Sequence, residues 1–389
     1  MPIVNRVADL QPDIQAWRHD IHQHPELLYD VHCTAAFVAD RLREFGCDEV
    51  VTGLGQTGVV GVIKGKKPAN GDVKVIGLRA DMDALLVEEQ TDLPYASKIP
   101  GKMHACGHDG HTAMLLGAAR YLAETRNFAG EAVVIFQPAE EGGAGAAAMI
   151  KDGLMHRFRI DQVYGMHNGP GIPIGSFAIR TGPIMAATDT INIRIEGLGG
   201  HAARPNKCID SVLVGAQLIT ALQSIVARNV DPLESAVISI CQFHAGNAHN
   251  VIPQTAELEG TVRTLTPEVR ELVEKRVREV VAGVAQITGA KIDLNYERGY
   301  PVTKNHVEQT EMARRIAKEI AGDTNVHEMP PMMGAEDFAY MLEARPGAFI
   351  FCGNGDSAGL HHPAYNFNDE AIVYGTSYWI KLVEQTLPA

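Results

Sequence analysis

No two cysteines in this 389-residue sequence have C-x-x-C spacing, and the six present (Cys33, Cys47, Cys106, Cys208, Cys241 and Cys352) are scattered. Neither a disulfide framework nor a zinc ribbon is suggested, and a reducing, cytoplasmic setting fits best. The run from Met1 to Trp17 lacks the apolar stretch of a secretory signal, and no segment is expected to approach the apolar length of a membrane span. Positive charge is the minority sign. Against 47 Asp and Glu stand 34 Lys and Arg, a formal balance of -13, which argues against nucleic acid or an anionic membrane as the main partner. There is no internal repeat and no low-complexity tract, so a solenoid or a disordered chain is not indicated. The H-x-E plus P-C-x-x-C pattern of a zinc deaminase is missing. A serine hydrolase is not expected either, since no G-x-S-x-G elbow is expected in the chain.

What is present is a long, ordinary globular composition, 46% hydrophobic and 21% charged. That length suggests two domains, or one domain carrying a large insertion. Helical spacing appears at Asp13 to His22 and at Thr34 to Phe45, with Gly46 as a stop. Short β-branched runs at Val59 to Ile63, Val73 to Leu78, Glu131 to Phe136 and Gln162 to Gly165 alternate with helical stretches at Thr112 to Glu124 and Gly145 to Asp152. The expectation is an α/β catalytic domain, with a mostly parallel sheet and helices on both faces. From Thr190 to Tyr296 the order becomes β-α-β-β-α-β, the split ferredoxin-like α+β arrangement. We place this inserted domain at 187–296 and the discontinuous first domain at 1–186 and 297–389. The α/β pattern resumes with a helix at Thr310 to Ala321, a strand at Ala348 to Cys352 and a last helix at Glu370 to Gln385.

Ligands of open α/β sheets gather beyond the carboxyl ends of strands. Polar loops occur at such places: Arg79 to Asp83, Gln137 to Gly143, Met166 to Pro170, and Leu360 to Pro363. A fifth, Met103 to His111, precedes the helix expected at Thr112. Cys106 and His108 lie two apart around Gly107, and thiolate with imidazole suits zinc-like ions. A buried cysteine beside helix-capping groups would read the same way. Glu140 and Glu141 are adjacent, so in an extended loop they would point opposite ways, one to bind metal and one to act as base. An isolated acidic pair is more often a solvated turn, and a lone histidine such as His167 or His361 is more often structural. Together, however, Cys106, His108, Glu141, His167 and His361 are too many donors for one structural tetrahedral ion. They fit two divalent ions sharing a ligand.

The sequence also resembles a known family. Its motifs are RHDIHQHPEL (18–27), RADMDAL (79–85), LPYASKIPGKMHACGHDGHTAMLLGAA (93–119), FQPAEEGGAGA (136–146), GMHNGP (165–170), GLGGHAARP (197–205), NVIP (250–253), GTVRT (260–264), GAEDFAYM (334–341) and LHHPAYNFND (360–369). They are similar, in order and over nearly the whole chain, to the aminoacylase and carboxypeptidase G metallopeptidases, in the branch of hippurate and auxin-conjugate hydrolases. The resemblance implies a metal-dependent amidohydrolase acting on N-acyl-L-amino acids. It implies two metals, Mn or Zn with Co or Ni as alternatives, on Cys106, His108, Glu141, His167 and His361. Glu140 corresponds to the general base. His201 corresponds to a histidine reaching the other subunit's site, and Asn250 and Arg263 to residues for the substrate carboxylate. Asp81 and Asp83 match supporting acids beside the metals. A homodimer through the inserted lid is implied, with a tetramer as the alternative. An N-acetyl-diaminopimelate-type deacetylase, a dipeptidase and a non-catalytic binding protein on the same fold are the competing readings.

Overall fold

The computed structural model describes residues 4–68 and 71–388. The chain forms two compact units: Met1–Ile184, Lys304–Pro330 and Asp337–Ala389 in the first, Met185–Thr303 and Pro331–Glu336 in the second. The second unit thus runs past the expected 187–296 at both ends and recruits 331–336, a short stretch (PMMGAE) without a periodic signal.

In the first unit, α1 (Asn5–Gln23) and α2 (His32–Glu44) precede β1 (Glu49–Leu54), β2 (Gly58–Lys64) and β3 (Val75–Asp81). Helix α1 begins eight residues before the expected Asp13 and continues through Pro12. Val7, Leu10, Ile14 and Ile21 form one buried stripe, and that packing outweighs the hydrogen bond lost at the proline. Next come α3 (His108–Thr125), β4 (Glu131–Gln137), α4 (Gly145–Lys151), α5 (Leu154–Arg157), β5 (Gln162–Pro170), β6 (Phe177–Ile179) and β7 (Gly182–Met185), where the chain passes into the second unit. The strands β1, β6 and β7 and the helix α5 were not anticipated.

The second unit holds β8 (Ala187–Glu196), β9 (Gly200–His201), α6 (Ser211–Arg228), β10 (Ala236–Ala245), β11 (Val251–Ile252), β12 (Thr255–Thr264), α7 (Pro267–Thr288) and β13 (Lys291–Arg298). Its four long strands pair antiparallel in the order β10-β12-β8-β13. Asp210 caps α6 by accepting from the N–H groups of Val212 and Leu213. Helix α7 starts at Thr266-Pro267 and stops at Gly289 with φ 73°, the expected proline-in, glycine-out asymmetry. By length and composition α6 does reach the range of a membrane span, contrary to expectation. Its Val214, Leu218, Leu222 and Ile225 are buried in the unit's own core.

The chain returns through β14 (Thr303–Asn305) to α8 (Val307–Ala321), β15 (Val326–Glu328), α9 (Ala339–Ala344), β16 (Gly347–Gly355) and α10 (Ala371–Thr386). The first unit's sheet has eight strands in the order β1-β2-β4-β3-β5-β16-β6-β15. Its four central strands, β4-β3-β5-β16, are mutually parallel. Their carboxyl ends therefore lie along one edge, and from that edge come Asp81, the Glu140–Glu141 turn, His167 and the loop to His361.

Candidate metal centre

The five candidate ligands meet. Cys106 Sγ lies 3.4 Å from His167 Nε2. Ligand atoms of Cys106, His108 and His167 fall within 4.8 Å of one another, and so do those of Cys106, Glu141 and His361. Cys106 belongs to both trios, as a shared ligand between two cations would.

Local structure differs from the extended loops expected. Gly107 is left-handed at φ 87° and is the N-cap of α3, so His108 opens a helix that begins four residues before Thr112. The polar HDGH turn carries no apolar periodicity and concealed that start. Ala139, at φ 54°, turns the chain sharply after β4, and Glu140 and Glu141 sit in a turn rather than an extended segment. They do not point opposite ways, because both carboxylates come within 4.8 Å of His108. His167 lies inside β5, not beyond it. His361 holds a left-handed backbone at φ 65°, with its N–H bonded to the Ala105 carbonyl at 2.8 Å.

Hydrogen bonding selects the tautomers and tests the fit to cations. His108 Nδ1 donates to the Asp83 carbonyl at 2.8 Å, and its Nε2 is buried without a hydrogen-bond partner. His167 Nδ1 donates to the Asn168 carbonyl at 2.7 Å, which leaves the Nε2 lone pair facing Cys106. An imidazole with Nδ1 fixed and Nε2 open is prepared as a metal ligand. His111 is not: its Nδ1 pairs with Asp81 Oδ1 at 2.7 Å and its Nε2 accepts the Asn168 N–H at 2.9 Å. Asp81 is likewise committed, to His111 and to Arg79 Nη1 at 2.8 Å. One of its oxygens also falls within 4.8 Å of ligand atoms of His108 and His111, so it adjoins the cluster with both oxygens already engaged.

The electrostatics are those of crowded, buried acceptors. Burial pushes the Cys106 thiol well up and the His167 imidazole well down. Burial also opposes charge on His108, but Asp81 and Cys106 outweigh it and raise that imidazole. His361 is raised by its pairing with Glu141, whose Oε1 is 3.2 Å away. Divalent cations in this space would stabilise the thiolate and displace the protons.

Three residues outside the expected set complete the surround. Arg79 is buried and bridges Asp81 to Asp337 Oδ1 at 2.9 Å. Asp337 also accepts from Gln137 Nε2 and from the Ala146 N–H, and its own N–H reaches Glu140 Oε1 at 3.4 Å. Tyr365 donates to Asn168 Oδ1 at 2.8 Å. All three stand inside the quoted motifs, which was the one sign of them in the sequence.

His201, Asn250 and Arg263 belong to the second unit. His201 and Asn250 are neighbours, since β9 pairs with β11 and the Ala202 N–H reaches the Asn250 carbonyl at 3.1 Å. Both are exposed. Arg263 Nη1 is held by Thr188 Oγ1 and by Thr261 Oγ1. One G-x-S-x-G does occur, at 355–359, contrary to the expectation of none. Among the described residues Ser357 Oγ there bonds to Asn354 Nδ2 and the Ala358 carbonyl and to no histidine, and no helix follows directly, which is not the arrangement of a nucleophile elbow.

Comparison with known proteins agrees with this geometry. The model of peptidase family M20/M25/M40 matches residues 77–385. A hippurate hydrolase of Campylobacter jejuni is 45% identical over 98% of each chain. An N-acetyl-L-cysteine deacetylase of Bacillus subtilis is 41% identical over 98% of this chain and 90% of its own. A crystal structure of a dinuclear metal-binding peptidase from Bacillus subtilis superposes with a TM-score of 0.85 at 34% identity, over 98% of this chain and 99% of the other. This protein is a metal-dependent amidohydrolase, and it belongs to peptidase family M20/M25/M40.

Proposed function

We propose that this amidohydrolase cleaves N-acyl-L-amino acids, whether hippurate-like, N-acetyl or indoleacetyl conjugates, to a carboxylic acid and a free amino acid. The reading is carried by one observation: a five-donor cluster with Cys106 common to both trios, and a further carboxylate, Glu140, beside it. Cys106, His108, Glu141, His167 and His361 would hold two divalent cations, Mn or Zn, with Co or Ni as alternatives that the same donors tolerate. When bound, such ions acidify water and polarise an amide carbonyl.

The chain's own groups do the rest. Glu140 accepts a proton from the attacking water as it adds to the carbonyl carbon, and then delivers that proton to the leaving nitrogen as the C–N bond breaks. The Asp337 N–H donates to Glu140 Oε1 at 3.4 Å and helps to hold the carboxylate in place. In this reading the enzyme is a homodimer through the second unit (a tetramer would preserve the same contact). The partner subunit's His201 stabilises charge developing on the carbonyl oxygen. Asn250 and Arg263 receive the amino acid's carboxylate, for which a guanidinium is well shaped. Six free cysteines support a cytoplasmic location.

The test is release of amine from N-benzoyl, N-acetyl and indoleacetyl amino acids, an N-acetyl-diaminopimelate and a dipeptide, with and without chelator. Chelator-sensitive release from the N-acyl amino acids supports the proposal. Preference for the dipeptide or the diaminopimelate derivative would move the substrate class, and no release from any of them would leave only a binding role.

A further inference from the structure

We propose that Asn168, held in place by Tyr365, is a positioning residue that sets how Cys106 and His167 face the metal pair. The inference rests on the ligand set proposed above and names residues that set does not contain. Asn168 is buried at the end of β5 and commits every polar atom to a neighbour of the site. Its carbonyl accepts from His167 Nδ1 at 2.7 Å. Its Nδ2 donates to the Cys106 carbonyl at 2.7 Å, and its backbone N–H donates to His111 Nε2 at 2.9 Å. Its Oδ1 accepts the Tyr365 hydroxyl at 2.8 Å. With a carbonyl on one side and a hydroxyl donor on the other, this amide orientation is the one in which both ends are satisfied.

One residue therefore joins three segments that carry ligands: β5 with His167, the loop with Cys106, and the stretch after His361 that bears Tyr365. Through His111 it also touches α3, one turn beyond His108. Gly107 gives an independent observation. A Cβ at that position would stand 2.4 Å from Asn168 Nδ2 and 2.5 Å from Tyr365 Oη. The bracket occupies the space a side chain would need, between two ligand residues that are adjacent to Gly107. Removing the Tyr365 hydroxyl leaves Asn168 Oδ1 buried and unpaired, and frees the amide to turn away from the Cys106 carbonyl. Groups of this kind, behind the ligands, change metal affinity by about 10- to 100-fold when lost.

The test is a cobalt(II) titration of the full-length metal-free protein, following the thiolate-to-cobalt absorption that reports Cys106. Tyr365→Phe is expected to weaken affinity about 10-fold and to shift the band, with the far-ultraviolet dichroism unchanged. Asn168→Ala is expected to do at least as much, and the double variant no more than Asn168→Ala alone, because Tyr365 acts through Asn168. Affinity and band equal to wild type in Tyr365→Phe would overturn the proposal, as would strict additivity in the double variant. If Asn168→Ala does not fold, Gly107→Ala, which pushes on the same bracket, takes its place. Cys106→Ser separates the two readings. If it keeps the band, the ligand assignment itself fails; if it loses the band while Tyr365→Phe keeps wild-type affinity and band, only the positioning role fails.

Discussion

Asp83 accepts the backbone N–H of Glu140 through Oδ1 at 2.9 Å, and its second oxygen takes the N–H of Glu141 at 3.1 Å. Its main-chain carbonyl also fixes Nδ1 of His108. A single buried residue thus orients the proposed base, one proposed carboxylate ligand and one proposed imidazole ligand.

Asp83→Ala should therefore lower both stability and turnover. Hydrogen bonds to a charged acceptor contribute ~1.5–3 kcal/mol each, so a loss of about 3 kcal/mol is expected in urea unfolding of the metal-free protein. Asp83→Asn keeps one acceptor oxygen and should fall between the two. Unfolding midpoints that match wild type would show that the turn holds itself.

Glu140→Gln keeps the size and the backbone contacts of the turn while removing the proton acceptor. Two equivalents of metal should remain bound, and kcat should fall by about 10²- to 10⁴-fold. Elemental analysis and steady-state kinetics measure both. Turnover within a few-fold of wild type would remove Glu140 as the base.

The parallel strands and the loops at their carboxyl ends were legible because apolar runs, glycines and polar strand ends follow local rules. The ligand identities came with the motifs that surround them. What stayed hidden depends on contacts between residues distant in sequence. Asn168 and Tyr365 are 197 apart in the chain, and Arg79 and Asp337 are 258 apart. No periodicity links such pairs. Helix starts failed where function overrides pattern, as at His108, where the first turn is built from site residues. The recruitment of 331–336 to the second unit was hidden for a related reason: so short a stretch gives no local sign of the unit it joins.

His22 carries a pH dependence of stability separate from the metals. Burial opposes its charge, but Asp109 Oδ2 at 2.8 Å and Glu89 outweigh that and raise the imidazole from its ordinary 6.5 to about 9. The folded state thus binds the proton more tightly than the unfolded chain. The stabilisation is full below pH 6.5 and is lost as pH rises through 9, with an upper limit of about 3 kcal/mol. His22→Asn should flatten the fall in stability between pH 6.5 and 9 relative to wild type. Parallel curves for the two proteins would refute the coupling.

If the partner subunit's His201 completes each site, Glu140→Gln and His201→Ala chains should rescue each other. Each is expected to be nearly inactive alone. A mixed dimer would regain one intact site, because the Glu140 of one chain would meet the His201 of the other. Activity that appears only after mixing and subunit exchange supports a shared site. Mixtures no more active than their parts, under conditions where exchange is demonstrated, would confine each site to a single chain.

The most direct test of two cations on five converging side chains is stepwise reconstitution. Metal-free protein is titrated with manganese or zinc while N-benzoylglycine hydrolysis and bound metal are followed together. The account expects binding to saturate at two ions per chain, with full activity reached only as the second ion binds and with both ions weakened in Cys106→Ser. Saturation at one ion, or full activity in protein stripped by chelator, would contradict it.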